Sequence, residues 1–232
     1  MSTAPSFTSP PSPASPVVYP CSDGEPMSDN TRQYEWIVRF KGGVEAHCPD
    51  AFVAGNVLWY YVQGDPKQRI GPDVLVAFGR PRGHRGSYLT WEEGGVIPQV
   101  ILEVWSPGNK WPERARKLTL YDKLGVEEFI TYDPEDNEFV VHERNANGAL
   151  VEIDATNGWV SPRMGIRFQP AETTLDVFGP DGKPLRFYQE LVDDARKAEE
   201  DRAKAEGERE KAEARAEAMA AKLRALGINP EE

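Results

Sequence analysis

A chain of 232 residues has room for one domain with accessories, since single domains run to about 100–200 residues. Its hydrophobic fraction of 39% lies below the roughly 45–50% of ordinary globular chains, so part of it is expected to stay outside any core. The net charge of −11 excludes a general nucleic-acid-coating protein, which needs surplus Lys and Arg to neutralise phosphates.

In chain order, residues 1–27 interleave Pro5, Pro10, Pro11, Pro13, Pro16, Pro20 and Pro26 with Ser and Thr. Such a stretch buries too little apolar surface to offset the entropy of ordering it, so a disordered leader is expected. It has neither the basic start nor the apolar stretch of a secretory signal. From Ser28 the character changes. Ser28, Asp29 and Asn30 offer helix N-caps, Tyr34, Ile37, Val38 and Lys41 recur at helical spacing, and Gly42-Gly43 is expected to stop that helix. Strand-favouring runs follow at 51–53, 57–62, 74–78, 100–104 and 129–132, bounded by Gly, Pro or Asp. The runs at 74–78 and 100–102 are continuously apolar, as strands covered on both faces should be. A helix over 112–124 separates the last two strands, with Pro112 suited to its first turn and Gly125 to its stop. The pattern predicts an α/β fold around a mixed sheet.

Beyond Asp133 the chain reads as hairpins, with turn signals at Asn147-Gly148 and Asp181-Gly182. From about 186 to 226 Ala, Glu, Lys and Arg predominate, and a long helix is expected. Leu191, Ala195, Ala198, Arg202, Ala205, Arg209, Ala212, Ala216, Met219, Leu223 and Leu226 keep a four-three spacing, the outline of a coiled coil. A single solvated helix laced by pairs such as Asp193–Lys197 accounts for the same residues, and both readings stand at this point.

No run approaches the ~18 apolar residues of a membrane span. Cys21 and Cys48 cannot form a disulfide framework, so a reduced, cytoplasmic setting is expected. His47, His84 and His142 sit in unrelated contexts, no Gly-x-Ser-x-Gly elbow occurs, and the Gly-rich stretches match neither a P-loop nor a dinucleotide fingerprint.

Carboxylates are more informative. Asp73 opens one apolar run and Glu103 ends another, and a charge in a buried strand is costly unless compensated. Two such residues on neighbouring strands can share a hard divalent cation, which needs only one or two carboxylates with waters and substrate phosphate around it. From spacing alone, structural ion pairing is the commoner explanation of such acids. Lys117 shares the stripe of Leu120, Tyr121 and Leu124 that should face the sheet, where an ammonium needs an anion unless it snorkels to water. Lys67, Arg69, Arg80, Arg82 and Arg85 against the single acid Asp73 give residues 67–90 a local surplus of four positive charges. That surplus is either a phosphate-binding wall or a solvated basic loop.

Several separate motifs then occur in order: Gly71-Pro72-Asp73-Val74; Val100-Ile101-Leu102-Glu103-Val104-Trp105-Ser106-Pro107; Lys117-x-x-x-Tyr121; Leu124-Gly125-Val126-Glu127-Glu128-Phe129-Ile130; and Tyr132-Asp133-Pro134. Over about residues 28–188 the chain resembles the restriction-endonuclease family of the Uma-two type, a bacterial branch of the PD-(D/E)XK nuclease superfamily. The closing Leu223-Arg224-Ala225-Leu226-Gly227-Ile228-Asn229-Pro230 is similar to the helical extension of many members. The resemblance implies a restriction-endonuclease-like core, a mixed sheet flanked by helices with metal ligands at the mouth of adjacent strands. Asp73 matches the superfamily's aspartate and Glu103 its acidic partner. Trp105 stands where the usual lysine would lie, and the resemblance supplies that lysine from the following helix as Lys117. Glu35 is the candidate for an added first-helix carboxylate.

The expectation is a metal-dependent endonuclease that hydrolyses phosphodiester bonds, with DNA the expected nucleic acid and no membrane partner. Mg²⁺ (or Mn²⁺) would sit on Asp73 and Glu103 with Glu35, and Lys117 would contact the attacking water or the phosphate. The expected organisation is a leader at 1–27, the nuclease-like domain at 28–188 and a helical tail at 189–232 that can form a homodimer. The alternative is a catalytically inactive nuclease-like module that binds nucleic acid or protein and self-associates through that tail.

Overall fold

A computed structural model of the chain describes residues 17–24 and 28–225. The chain divides into two compact units, one through Leu185 and one from Arg186. The first unit begins with helix α1 (Thr31–His47), then strands β1 (Ala51–Gly55), β2 (Trp59–Tyr60), β3 (Arg69–Ile70), β4 (Val74–Phe78), β5 (Tyr88–Leu89) and β6 (Val100–Val104). Helix α2 (Trp111–Leu124) follows, then β7 (Glu128–Asp133), β8 (Glu138–Arg144), β9 (Leu150–Ile153), β10 (Trp159–Val160), β11 (Arg167–Pro170) and β12 (Leu175–Phe178). The second unit holds helix α3 (Tyr188–Ala225), none of whose residues is buried.

A six-stranded mixed sheet in the order β1-β4-β6-β7-β8-β9 is the centre of the first unit. The pair β6–β7 is parallel and the others are antiparallel. The parallel pair is the one that needs a long crossover, and α2 supplies it. The buried runs are as the sequence predicts: β4 and β6 keep their expected limits, and every residue of β6 and β7 is buried. Gly125 ends α2 at φ +93°, a left-handed stop that side chains with a Cβ adopt only under strain. Helix α1 lies against β1, β4 and β6. Asn30 caps it by accepting a hydrogen bond from the Gln33 backbone N–H at 2.9 Å.

Two local expectations are corrected. Helix α1 does not stop at Gly42-Gly43 but runs through to His47. The reason is tertiary: a Cβ on Gly43 would collide with Cδ2 of Leu185, so the glycine makes room for a packed side chain rather than a turn. The run at 57–62 yields only the two-residue β2, which joins β3 and β5 in a separate small sheet. Both partners are two residues long, so they cannot extend its ladder.

Within the stretch expected to be a leader, residues 17–24 lie on this small sheet. Tyr19 packs edge-on to Tyr60 at 5.2 Å and against Trp91 at 4.9 Å, and the Tyr60 hydroxyl donates to the Pro20 carbonyl at 2.7 Å. Residues 1–16 and 25–27 of that stretch, and Leu226 of the helical seam, lie outside the described residues.

Glu128 ties β7 to the corner after β10. Its carboxylate accepts from the Ser161 hydroxyl and from the Arg163 backbone N–H at 2.7 Å. Burial lifts its pKa from 4.5 to about 7; those two hydrogen bonds restrain the shift and nearby Glu143 adds to it. The folded state therefore holds this proton more tightly than the unfolded chain, and stability falls as pH rises from about 4.5 through 7. Glu128→Gln can keep both partners without the charge. In urea denaturation at about pH 8 its unfolding free energy should exceed that of the wild type by up to about 3 kcal/mol, and the gap should close toward about pH 4.

The two glycines of α1 give a paired prediction. A methyl group added at Gly42 would meet nothing within 4 Å, so Gly42→Ala should stabilise by roughly 0.5–1 kcal/mol in urea denaturation. Gly43→Ala must displace the buried Leu185 side chain and should destabilise by about 1 kcal/mol or more.

Candidate active site

The register of β4 against β6 pairs Val74 with Leu102, and one further step brings Asp73 opposite Glu103. Residues directly opposite on antiparallel strands project to the same face, so the two carboxyl groups meet. They lie within hydrogen-bonding reach of each other, with Glu103 fully buried and Asp73 9% exposed. The α2 crossover then delivers its compensating groups. Lys117 and Tyr121, one helical turn apart, share the face of α2 turned to the sheet. Lys117 Nζ donates to Glu103 Oε2 at 2.9 Å and the Tyr121 hydroxyl donates to Glu103 Oε1 at 2.6 Å. Both Glu103 oxygens are thus satisfied from one helix.

Asp73 is held differently. Its Oδ2 accepts the Val104 backbone N–H at 2.7 Å, and the Val104 carbonyl accepts Nε2 of Gln33 from α1, also at 2.7 Å. Burial, with the Glu103 carboxylate beside it, pushes the Asp73 carboxyl well above the usual range, against the pull of Lys117 and the Val104 N–H. Burial works against the Lys117 ammonium, but Glu103 and Asp73 outweigh it and raise its pKa. Burial and the adjacent Glu103 push the Tyr121 phenol well above its usual value, so it stays a donor.

Trp105, in the position two after Glu103, gives the lysine a ring to lie over: Lys117 Nζ is 5.4 Å from its centroid and the Arg114 guanidinium 5.2 Å. Asp73 and Lys117 open onto a cleft of about 1250 Å³. Its walls are residues 21–23 with Ser28 and Asp29, the segment from Tyr61 to Gly71, and α2.

The structure brings Asp73, Glu103 and Lys117 together and leaves Glu35 out. Glu35 is exposed on α1, and two positions along a helix turn the side chain about 200° from Gln33, the residue that faces the site. The expected first-helix carboxylate is therefore replaced by an amide that braces Val104. The basic run also divides. Arg80 and Arg85 pair with Glu93, Arg85 lies over Phe52, and Arg82 donates to the carbonyls of Glu45 and Cys48. Only Lys67 and Arg69 of that run line the cleft. Tyr121 and Gln33 are site residues that composition and charge did not single out. The Lys117-x-x-x-Tyr121 spacing carried a signal for the first, and nothing local carried one for the second.

Among the described residues no group of three or more His, Cys, Asp or Glu assembles as a ready metal cage. The donor set that does exist is two hard carboxylates in contact, one of them held reluctantly as an anion. That set fits a divalent cation of the Mg²⁺ type, which takes one or two carboxylates and completes its shell with water.

A mixed sheet with this acidic pair and lysine at the floor of a cleft is an α/β core of the restriction-endonuclease-like class. The chain belongs to the Uma2 family, described as "Putative restriction endonuclease", which matches residues 25–186. A crystal structure of "a putative nuclease belonging to DUF820" from Anabaena variabilis is similar at 13% identity and a TM-score of 0.46, covering 59% of this chain and 75% of that one. No curated protein matches the chain. Among the described residues no helix is long and apolar enough to cross a membrane.

The charge arrangement gives opposite signs for two neutralising changes. Lys117→Met strands Glu103 as a buried, unpaired carboxylate and should cost about 3 kcal/mol in urea denaturation near neutral pH in EDTA. Asp73→Asn removes one of two apposed buried acids while keeping an oxygen for the Val104 N–H, and should leave stability unchanged or raised in the same titration.

Proposed function

We propose that this protein is a divalent-metal-dependent endonuclease that hydrolyses phosphodiester bonds, with Mg²⁺ or Mn²⁺ held by Asp73 and Glu103 and DNA as the substrate. The observation that carries the reading is the contact of two buried carboxyl groups with Lys117 at the floor of the cleft, in a chain of this family. When bound, the metal ion would supply an activated water and neutralise charge on the phosphate.

The chain's own residues do the rest. The Val104 N–H and the Tyr121 hydroxyl fix one oxygen each of Asp73 and Glu103, so the pair meets its ligand in one orientation. Lys117, paired with Glu103 but opening on the cleft, holds its positive charge beside the scissile phosphate and stabilises the charge that develops there. Gln33 keeps the Val104 peptide from turning away. In the same reading α3 joins two copies of the chain along the four-three seam, where Leu191 and Met219 are exposed.

The test is cleavage of supercoiled plasmid and of single-stranded DNA and RNA in Mg²⁺, in Mn²⁺ and in EDTA. Metal-dependent cleavage is expected, with Asp73→Asn and Glu103→Gln each lowering the rate by at least about 100-fold, as loss of a ligand that organises transition-state charge does. Leu191→Glu with Met219→Glu should lower the sedimentation coefficient and spare cleavage. Equal rates for Glu103→Gln and wild type would overturn the catalytic assignment. Nucleic-acid binding without cleavage in either metal would favour the inactive binding module.

A further inference from the structure

We propose that the cleft takes its nucleic acid as a single strand, with bases stacked on Trp111 and Tyr61 and phosphates on Lys67, Arg116 and Lys123; this rests on the nuclease reading for the cleft. Three observations lead there.

The first is depth. Glu103 is fully buried and Asp73 nearly so, and the cleft above them is walled on three sides by separate chain segments. A phosphate reaches the floor by bending its backbone into the cleft. A flexible single strand does this freely, whereas a duplex must be kinked or unpaired first.

The second is charge. Five cations of the lining, Lys67, Arg69, Arg116, Lys117 and Lys123, stand against four carboxylates, on a chain whose net charge is −11. A duplex carries a charge every ~1.7 Å of its axis and a strand one every ~3.4 Å, so the weakly positive cleft suits the sparser polyanion. Of the cations facing the cleft, Lys117 is held by Glu103 and Arg69 donates to the Pro66 carbonyl, and the other three are available. Arg114, Arg144 and Arg163 pair with carboxylates, while Lys67, Arg116 and Lys123 form no ion pair among the described residues.

The third is the pair of aromatic rings. Trp111 begins α2 with 77% of its surface exposed, although it is the type of side chain a fold normally covers. It stands one residue before Pro112 and one turn before Ala115, both of which line the cleft. Tyr61 lines the cleft itself, steadied by the edge of Trp59 at 6.1 Å and by a hydrogen bond from its hydroxyl to Gln68 at 3.2 Å. Aromatic rings together with free cations are what a strand with unstacked bases requires, and a duplex, whose bases are already stacked, gains nothing from the rings.

The experiment measures anisotropy of labelled single-stranded DNA, single-stranded RNA and duplex DNA of one sequence with the full chain in EDTA, followed by cleavage in Mg²⁺ and Mn²⁺. A single strand should bind at least about tenfold more tightly than the duplex. Trp111→Ala should weaken the strand about tenfold and leave the duplex unchanged, a size expected for loss of one stacking ring. Arg116→Ala should weaken binding and lower its salt dependence. Circular dichroism checks that these exposed substitutions leave the fold intact. Equal or tighter duplex binding, or no response to Trp111→Ala, would overturn the proposal. Ring-dependent strand binding without cleavage would uphold it and sink the nuclease reading; duplex cleavage indifferent to Trp111 would do the reverse. The DNA and RNA arms name the sugar.

Discussion

A fully buried glutamate on a central strand is the constraint around which the first unit is organised. Glu103 has no access to water, so each of its oxygens must find a donor inside the fold, or the strand would not bury it. Both donors come from α2, one turn apart, and this sets the rotational phase of that helix over the sheet. The aromatic packing agrees with that phase: Tyr121 stacks on Trp59 and tilts against Phe129, which fixes the ring whose hydroxyl reaches the carboxylate. Hydrogen bonding and core packing therefore demand the same helix position, and neither can be relaxed alone.

The second acid turns a satisfied buried residue into a candidate site. With Lys117 and Tyr121 alone, Glu103 would be an ordinary internal ion pair. Asp73, brought opposite it by one step of strand register, adds a negative charge for which no second ammonium is provided among the described residues. Its anion is supported only by a backbone N–H and by a lysine already engaged with Glu103, which is why burial and repulsion drive its pKa upward. Folding tolerates such an arrangement at functional positions, where the unfavourable electrostatics are relieved by what binds. The cleft opens on Asp73, the less compensated acid of the pair, with Glu103 its immediate neighbour.

Local chemistry made most of this legible in the sequence. Continuous apolar runs bounded by Gly and Pro located β4 and β6, and the acids at their ends stood out because a charge there is expensive. The i, i+4 spacing of Lys117 and Tyr121 put them on one face before any tertiary contact was known. What sequence reading missed shares a physical cause. Gly42-Gly43 looks like a helix stop, and only Leu185, far along the chain, reveals Gly43 as a point of close approach. Glu35 and Gln33 compete for the site by helix phase, which depends on how α1 docks on β6 and is not written in either residue. The strand at 57–62 was too long because the lengths of its partners β3 and β5 limit the ladder, and those pairings are nonlocal.

The arginines show why a local charge count is a poor guide to an anion site. Arg80, Arg82 and Arg85 are three of the five cations behind the surplus in residues 67–90, yet all three are held by Glu93 or by backbone carbonyls and brace the fold. Arg116 and Lys123 lie far from that run in the sequence, give no visible cluster, and join Lys67 at the cleft only when α2 is in place. An arginine already engaged by a carboxylate must surrender that pair to bind phosphate, and the exchange cancels much of the gain. A lysine or arginine facing solvent across a cleft surrenders only water. In an acidic chain the question is therefore which cations remain without a carboxylate after folding, and among the described residues Lys67, Arg69, Arg116 and Lys123 do so in the lining of the cleft.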